Sequence, residues 1–187
     1  MGMTITFELS DADLQHFHDS MERVRDATQK LDAATIIKHS HDLLHKIRDS
    51  AAAEFIRVRL NRLETLIAMV EDVGWGLEED DRQRVLQALS YFAEAEDLIP
   101  DEIPGLGFLD DAIMIELVTR ELEHEIIAYR DFLVYRASEQ SRLGSDAGDL
   151  NRQDWLIERR KQLHSRMRRR RRRGRAESTG SSGFSLF

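Results

Sequence analysis

The sequence predicts an all-α protein, organised as a five- or six-helix bundle. Apolar residues recur at spacings of three and four along most of the chain, which marks one buried face per helix. No segment carries the alternation of a half-buried strand. Between the periodic segments stand short groups rich in Gly, Pro, Ser and Asp, with capping residues where helices should begin.

Ser10, with Asp13 three residues on, reads as the cap of a first helix. Leu14, Phe17, Met21, Val24, Thr28 and Leu31 follow as its seam. Asp32 is placed to cap a second helix that buries Ile36, Ile37, Leu43, Leu44 and Ile47. Ser50 is the expected cap of a third, with Ile56, Leu60, Leu63, Ile67 and Val70 inward, and Gly74-Trp75-Gly76 stops it. Glu78 to Asp81 place acids at the start of a fourth helix, where the macrodipole favours negative charge.

Residues 88–118 interrupt this regularity and hold both prolines of the chain. Val85, Leu86, Leu89, Phe92 and Ala93 bring a helix in; Pro100 and Pro104 then bias Ile99 and Ile103 away from helical geometry. Gly105 and Gly107 supply freedom for a reversal, and a helix restarts near Leu109 with Asp110 and Asp111 in its first turn. The product is a central helical hairpin. Its loop carries Leu98, Ile99, Ile103, Leu106 and Phe108, and five such side chains are expected inside, since exposing each costs about 1.5–3 kcal/mol. Ile115, Val118, Leu122, Ile126, Tyr129 and Leu133 mark the inner face of one long helix beyond it. The expected organisation is a helical domain over 1–143, a linker at 144–150, a C-terminal helix at 151–173 with Trp155, Leu156, Leu163 and Met167, and a disordered tail at 174–187.

Tyr91, then Asp97-Leu98-Ile99-Pro100-Asp101, Ile103-Pro104, Leu106-Gly107 and Leu109-Asp110-Asp111 form a pattern that resembles the YkvA-like family (DUF1232), bacterial helical domains of unknown function. The resemblance covers roughly residues 85–122, with Ala95 where the family usually has a proline. It implies a helical fold and the importance of Asp97, Pro100, Asp101, Pro104, Gly107, Asp110 and Asp111, and no chemistry.

Composition bounds the function. Cysteine is absent, which excludes disulfides and thiolate catalysis. No apolar run approaches the roughly 20 residues of a spanning helix. Met1 to Phe7 lacks the basic-then-apolar order of a signal peptide, so a cytoplasmic protein is expected, with peripheral membrane contact open to it. The net charge of −8 hides an asymmetry: residues 1–157 hold 16 basic and 33 acidic residues, whereas residues 158–175 hold 11 basic residues and one acid. An acidic body therefore carries a basic end.

Three constellations are candidates for chemistry. Asp97, Asp101, Asp110 and Asp111 suit a hard cation, and with it hydrolysis, if the hairpin brings them together. The blander alternative is that they bond loop amides and cap the next helix. Glu121-Leu122-Glu123-His124 has the Glu-x-x-His spacing of di-iron bundles, with looser relatives at Asp13/His16 and Asp42/His45. No second Glu-x-x-His completes it, so boundary histidines explain the pattern better and no metal or cofactor is assigned. The arginine run, Arg166, Arg168, Arg169, Arg170, Arg171, Arg172, Arg173 and Arg175, is the third. Its density calls for an anion: nucleic acid, an anionic lipid surface, or the acidic body itself, in the same or another copy. Phosphate loops, nucleophile elbows and His-Glu-x-x-His are missing. The sequence thus points to a non-catalytic interaction protein with a polyanion-docking basic end, removable by deleting residues 166–187 without loss of stability.

Overall fold

The computed structural model describes residues 8, 10–28, 31–50, 54–93, 108–143 and 154–178. These form seven α-helices and one 3-10 turn, and no strand occurs among them. The helices are α1 (Asp11–Thr28), α2 (Ala33–Asp49), α3 (Glu54–Glu71), α4 (Glu79–Ser90), α5 (Leu109–Glu121), α6 (Glu123–Leu143) and α7 (Asp154–Ser178), with the 3-10 turn at Tyr91–Ala93 after α4. The all-α class holds, but the described helices number seven rather than five or six.

Local chemistry explains the starts and stops. Ser10 and Asp13 form a reciprocal cap: the Ser10 N–H donates to Asp13 at 2.8 Å and the Asp13 N–H donates to the Ser10 hydroxyl at 3.3 Å. Those bonds hold the Asp13 carboxyl below its usual range. Asp32 caps α2 by accepting the Thr35 N–H at 2.8 Å. Ser50 differs from expectation. It closes α2, its N–H and hydroxyl both donating to the Ile47 carbonyl, which would otherwise lie unbonded at the helix end.

α2, α3 and α4 form the centre. α5 packs on α3, α6 on α3 and α5, α7 along α6, and α1 lies over α4 and the 3-10 turn. The seams predicted for α2, α3 and α4 face inward: Ile36, Leu44, Ile47, Ile56, Leu60, Leu63, Ile67, Val85, Leu86 and Leu89 are buried. The long helix expected after residue 109 is instead two helices that meet at Leu122, whose φ of −98° and ψ of 19° depart from helical geometry. Hydrogen bonding continues through the bend, from the Leu122 N–H to Val118 and from the Ile126 N–H to Leu122. Leu122 is fully buried. Bending there lets α5 follow α3 while α6 turns to meet α7.

Of the five hairpin-loop side chains, Phe108 is described and buried. Leu98, Ile99, Ile103 and Leu106 lie outside the described residues, as do the reversal glycines. Phe108 is the N-terminal flanking residue of α5 and takes left-handed geometry, φ 63°. That conformation costs a side-chain-bearing residue about 1–2 kcal/mol, offset here by burial of its ring, over which the Lys46 ammonium sits 5.7 Å from the centroid.

The corner after α3 is the other special backbone. Trp75 is fully buried, its ring centroid 5.1 Å from Phe132, 5.7 Å from Tyr129 and 4.2 Å, edge-on, from His164. Asp72 fixes this corner: it accepts the Trp75 N–H at 3.2 Å, the Tyr129 hydroxyl at 3.1 Å and Arg136 at 2.9 Å. Burial and the Asp72 charge push the Tyr129 phenol well up. Gly76 completes the turn at φ 50°, where an added Cβ would lie 2.9 Å from the Arg160 guanidinium. Gly76→Ala should therefore lower stability by about 1 kcal/mol, read as a lower urea midpoint at unchanged slope.

Candidate functional site

The arginine run lies within α7, which continues to Ser178, past Gly174, where composition predicted order to end. A helix turns once every 3.6 residues, so neighbouring arginines point in different directions. Leu163, His164 and Met167 are buried, and Arg168, Arg171 and Gly174 are partly buried on the same side. An added Cβ at Gly174 would rest 3.5 Å from His124. Arg166, Arg169, Arg170, Arg172 and Arg173 are exposed. The side chain of Arg175 lies outside the described set.

The inward arginines meet carboxylates. Arg171 donates to Asp81 of α4 at 2.7 Å and to Glu125 of α6 at 2.8 Å. Asp81 is 1% exposed and Glu125 0%. Arg84 approaches Glu125 at 3.5 Å and Glu121 at 3.9 Å. Arg168 contacts Glu78 at 2.8 Å and Asp81 at 3.4 Å. One guanidinium thus bridges two buried carboxylates from different helices, a charge-assisted arrangement whose loss would leave two buried charges uncompensated. The Arg171 guanidinium holds its proton more tightly than usual, because these carboxylates and hydrogen bonds outweigh desolvation, itself the largest single influence. At its N-terminal end α7 is held by Arg160, which donates to the Gly74 carbonyl at 3.4 Å, and by Arg159 over the Tyr135 ring at 5.2 Å.

This arrangement overturns one expectation. Residues 166–187 include Met167, Arg168 and Arg171, so their deletion removes a buried side chain and strands two buried carboxylates. Such a deletion must destabilise the fold.

The other candidates fare differently. Asp110 and Asp111 are buried in the first turn of α5, and neither residue is without a partner. Neither is the capping residue, which is Phe108. Asp97, Pro100, Asp101, Pro104 and Gly107 lie outside the described residues. Glu121 of the Glu-x-x-His spacing turns toward Arg84, while His124 lies beside Gly174. Asp13 is spent on Ser10, Asp42 pairs with Lys38 at 2.5 Å, and His41 approaches Glu71 at 3.3 Å. Among the described residues no group of three or more His, Asp or Glu side chains is arranged to hold a metal ion.

Asp81 and Glu125 were not singled out by sequence, and Arg171 was read there as polyanion-binding rather than as their inward partner, although a signal exists. Each continues the apolar stripe of its helix: Asp81 precedes Val85 and Leu89 by four and eight residues, Glu125 falls between Leu122 and Tyr129, and Arg171 follows Leu163 and Met167. Opposite charges on three buried stripes are a pattern of mutual satisfaction.

Residues 84–117, from α4 through the first turns of α5, match the family model described as a protein of unknown function (DUF1232). The chain carries a DUF1232 segment. That is the family which the central motif resembles. No curated protein and no solved structure matches the chain. The DUF1232 segment contains Arg84, which faces the buried Glu125, while Asp81 stands just before the segment and Glu125 and Arg171 lie beyond it. Among the described residues no helix is long and apolar enough to cross a membrane.

His164 reports on the α7 seat. Burial lowers its pKa to about 4, Arg168 and Arg160 reinforcing the shift and Asp81 and Glu78 opposing it. The unfolded chain takes up this proton near pH 6.5, the folded one only near pH 4. Between these values the unfolded state binds more protons, so stability present above pH 6.5 is lost as pH falls toward 4. Wild-type stability should fall by about 1 kcal/mol per pH unit more steeply than that of His164→Phe between pH 6 and 5, measured by urea unfolding.

Proposed function

We propose that the protein is a non-catalytic helical interaction domain that docks on polyanions through the outer face of α7. The observation that carries this reading is the division of the arginine run. Arg168 and Arg171 are committed to the body, whereas Arg169, Arg170, Arg172 and Arg173 are exposed and form no ion pair among the described residues. Among the described residues Arg166 reaches the half-buried Asp131 alone, at 4.0 Å. A rigid helix thus presents a row of free guanidinium groups, each suited to a phosphate oxygen.

The seat on α6 also shapes the partner. The apolar stripe of α7, Leu163 and Met167, is turned into the body, so contact with a lipid surface would be electrostatic, without insertion. The described outer face offers arginine alone between 168 and 173, without the mixed side chains that read base edges, so binding to nucleic acid should ignore sequence. The rest of the chain is acidic on balance, which disfavours an extended phosphate surface there and orients such a surface toward this edge.

The division also sets the size of the effect. With four to five phosphates engaged, the slope of log affinity against log salt on duplex DNA should be about −4, shallower than the full run of eight arginines would give. Replacing Arg169, Arg170, Arg172 and Arg173 together by Gln should abolish binding to duplex and to anionic vesicles while leaving the melting temperature in place. Retention of binding by that variant at low salt, or failure of the wild type to bind either surface, would refute the reading.

A further inference from the structure

A second cationic feature lies on the opposite wall of α6, away from α7. The bend at Leu122 opens a groove of about 440 Å³ bordered by α3, α5 and α6. Arg62, Arg120 and Arg130 line it together with Thr119, Ile126 and Ile127. Two acids also border it, Glu116 and Glu123. Glu116 is already claimed twice, by Arg62 at 2.7 Å and by Arg59 at 3.3 Å. Arg62 is further oriented toward the Thr119 hydroxyl at 3.5 Å, and that hydroxyl donates to the Ile115 carbonyl at 2.7 Å.

Arg120 and Arg130 are exposed at the mouth and form no ion pair among the described residues. Residues 1–157 hold only 16 basic residues against 33 acids. Three of those sixteen, Arg62, Arg120 and Arg130, line this groove against two acids, and Arg59 pairs with Glu116 from outside it, which makes it a local inversion of the body's charge. The volume lies within the range of small-molecule sites, and arginine forks beside the half-buried Ile127 in an otherwise polar lining fit a ligand that is mainly charged, with a small uncharged part.

We propose that this groove binds a small phosphorylated molecule. Arg120 and Arg130 clasp its phosphoryl oxygens, Arg62 stands ready held by Glu116 and Thr119, and the uncharged part of the ligand rests on Ile127 beside Ile126. This site is independent of the α7 face: it is built from other helices and takes a compact dianion rather than a surface.

Backbone-amide NMR on the full chain, titrated with pyrophosphate at constant ionic strength against chloride, tests it. Saturable shifts are expected for amides between Thr119 and Arg130. In Arg120→Gln/Arg130→Gln the dissociation constant for those shifts should weaken by about tenfold or more, as two charge-assisted hydrogen bonds are lost. The melting temperature should not change, since both side chains are exposed and form no ion pair among the described residues. Shifts confined to Arg169–Arg173, the absence of saturation, or equal titration of variant and wild type would each overturn the proposal. Duplex binding by α7 is read separately, with the four-arginine variant, so failure of this site and failure of that face are distinguishable.

Discussion

The fold depends on one buried interaction, the Arg171 guanidinium held between Asp81 and Glu125. Neither carboxylate has appreciable access to water. Without a cation, two negative charges would share a dry interface between α4 and α6, at a cost that neither packing nor Arg84 alone offsets. α7 supplies the cation, and in doing so becomes an integral part of the domain rather than an appendage. A buried ion pair is weak evidence for added stability, since a well-packed apolar replacement often serves as well. Its clearer effect is to fix position. Leu163 and Met167 would allow α7 to slide along α6, and only one register sets Arg171 against both acids.

The same geometry produces the proposed docking surface. Once Arg168 and Arg171 are turned inward, the helical period turns Arg169, Arg170, Arg172 and Arg173 outward. A compositionally uniform run is thereby resolved into a structural face and a free face. Like charges at this density would fray an isolated helix, and the buried carboxylates relieve part of that repulsion by neutralising the inward members. Folding and the proposed docking are therefore linked: the acids that seat α7 also decide which of its arginines face outward.

Much of the fold was legible because apolar periodicity and capping chemistry are local. The seams of α2 and α3, the Ser10–Asp13 cap and the Asp32 cap follow from residues within a turn of one another. The bend at Leu122 was not legible, since Val118, Leu122 and Ile126 keep helical spacing through it and only the positions of α3 and α7 decide the angle. Trp75 read as part of a helix stop, and its burial depends on Phe132 and His164, distant in sequence. Of the candidate site, the arginine run was evident from composition. Which arginines are free was not, because that depends on Asp81 and Glu125, which look like ordinary surface acids until their stripe positions are noted.

Thermal unfolding of two variants one residue apart tests the central claim most directly. Arg171→Gln should lower stability by about 3 kcal/mol, or roughly 6–12 °C in melting temperature for a chain of this size. Arg172→Gln should stay within about 0.5 kcal/mol of wild type. If the two variants melt alike, the guanidinium between Asp81 and Glu125 does not hold α7 in place, and the division of the arginine run into seated and free faces is wrong.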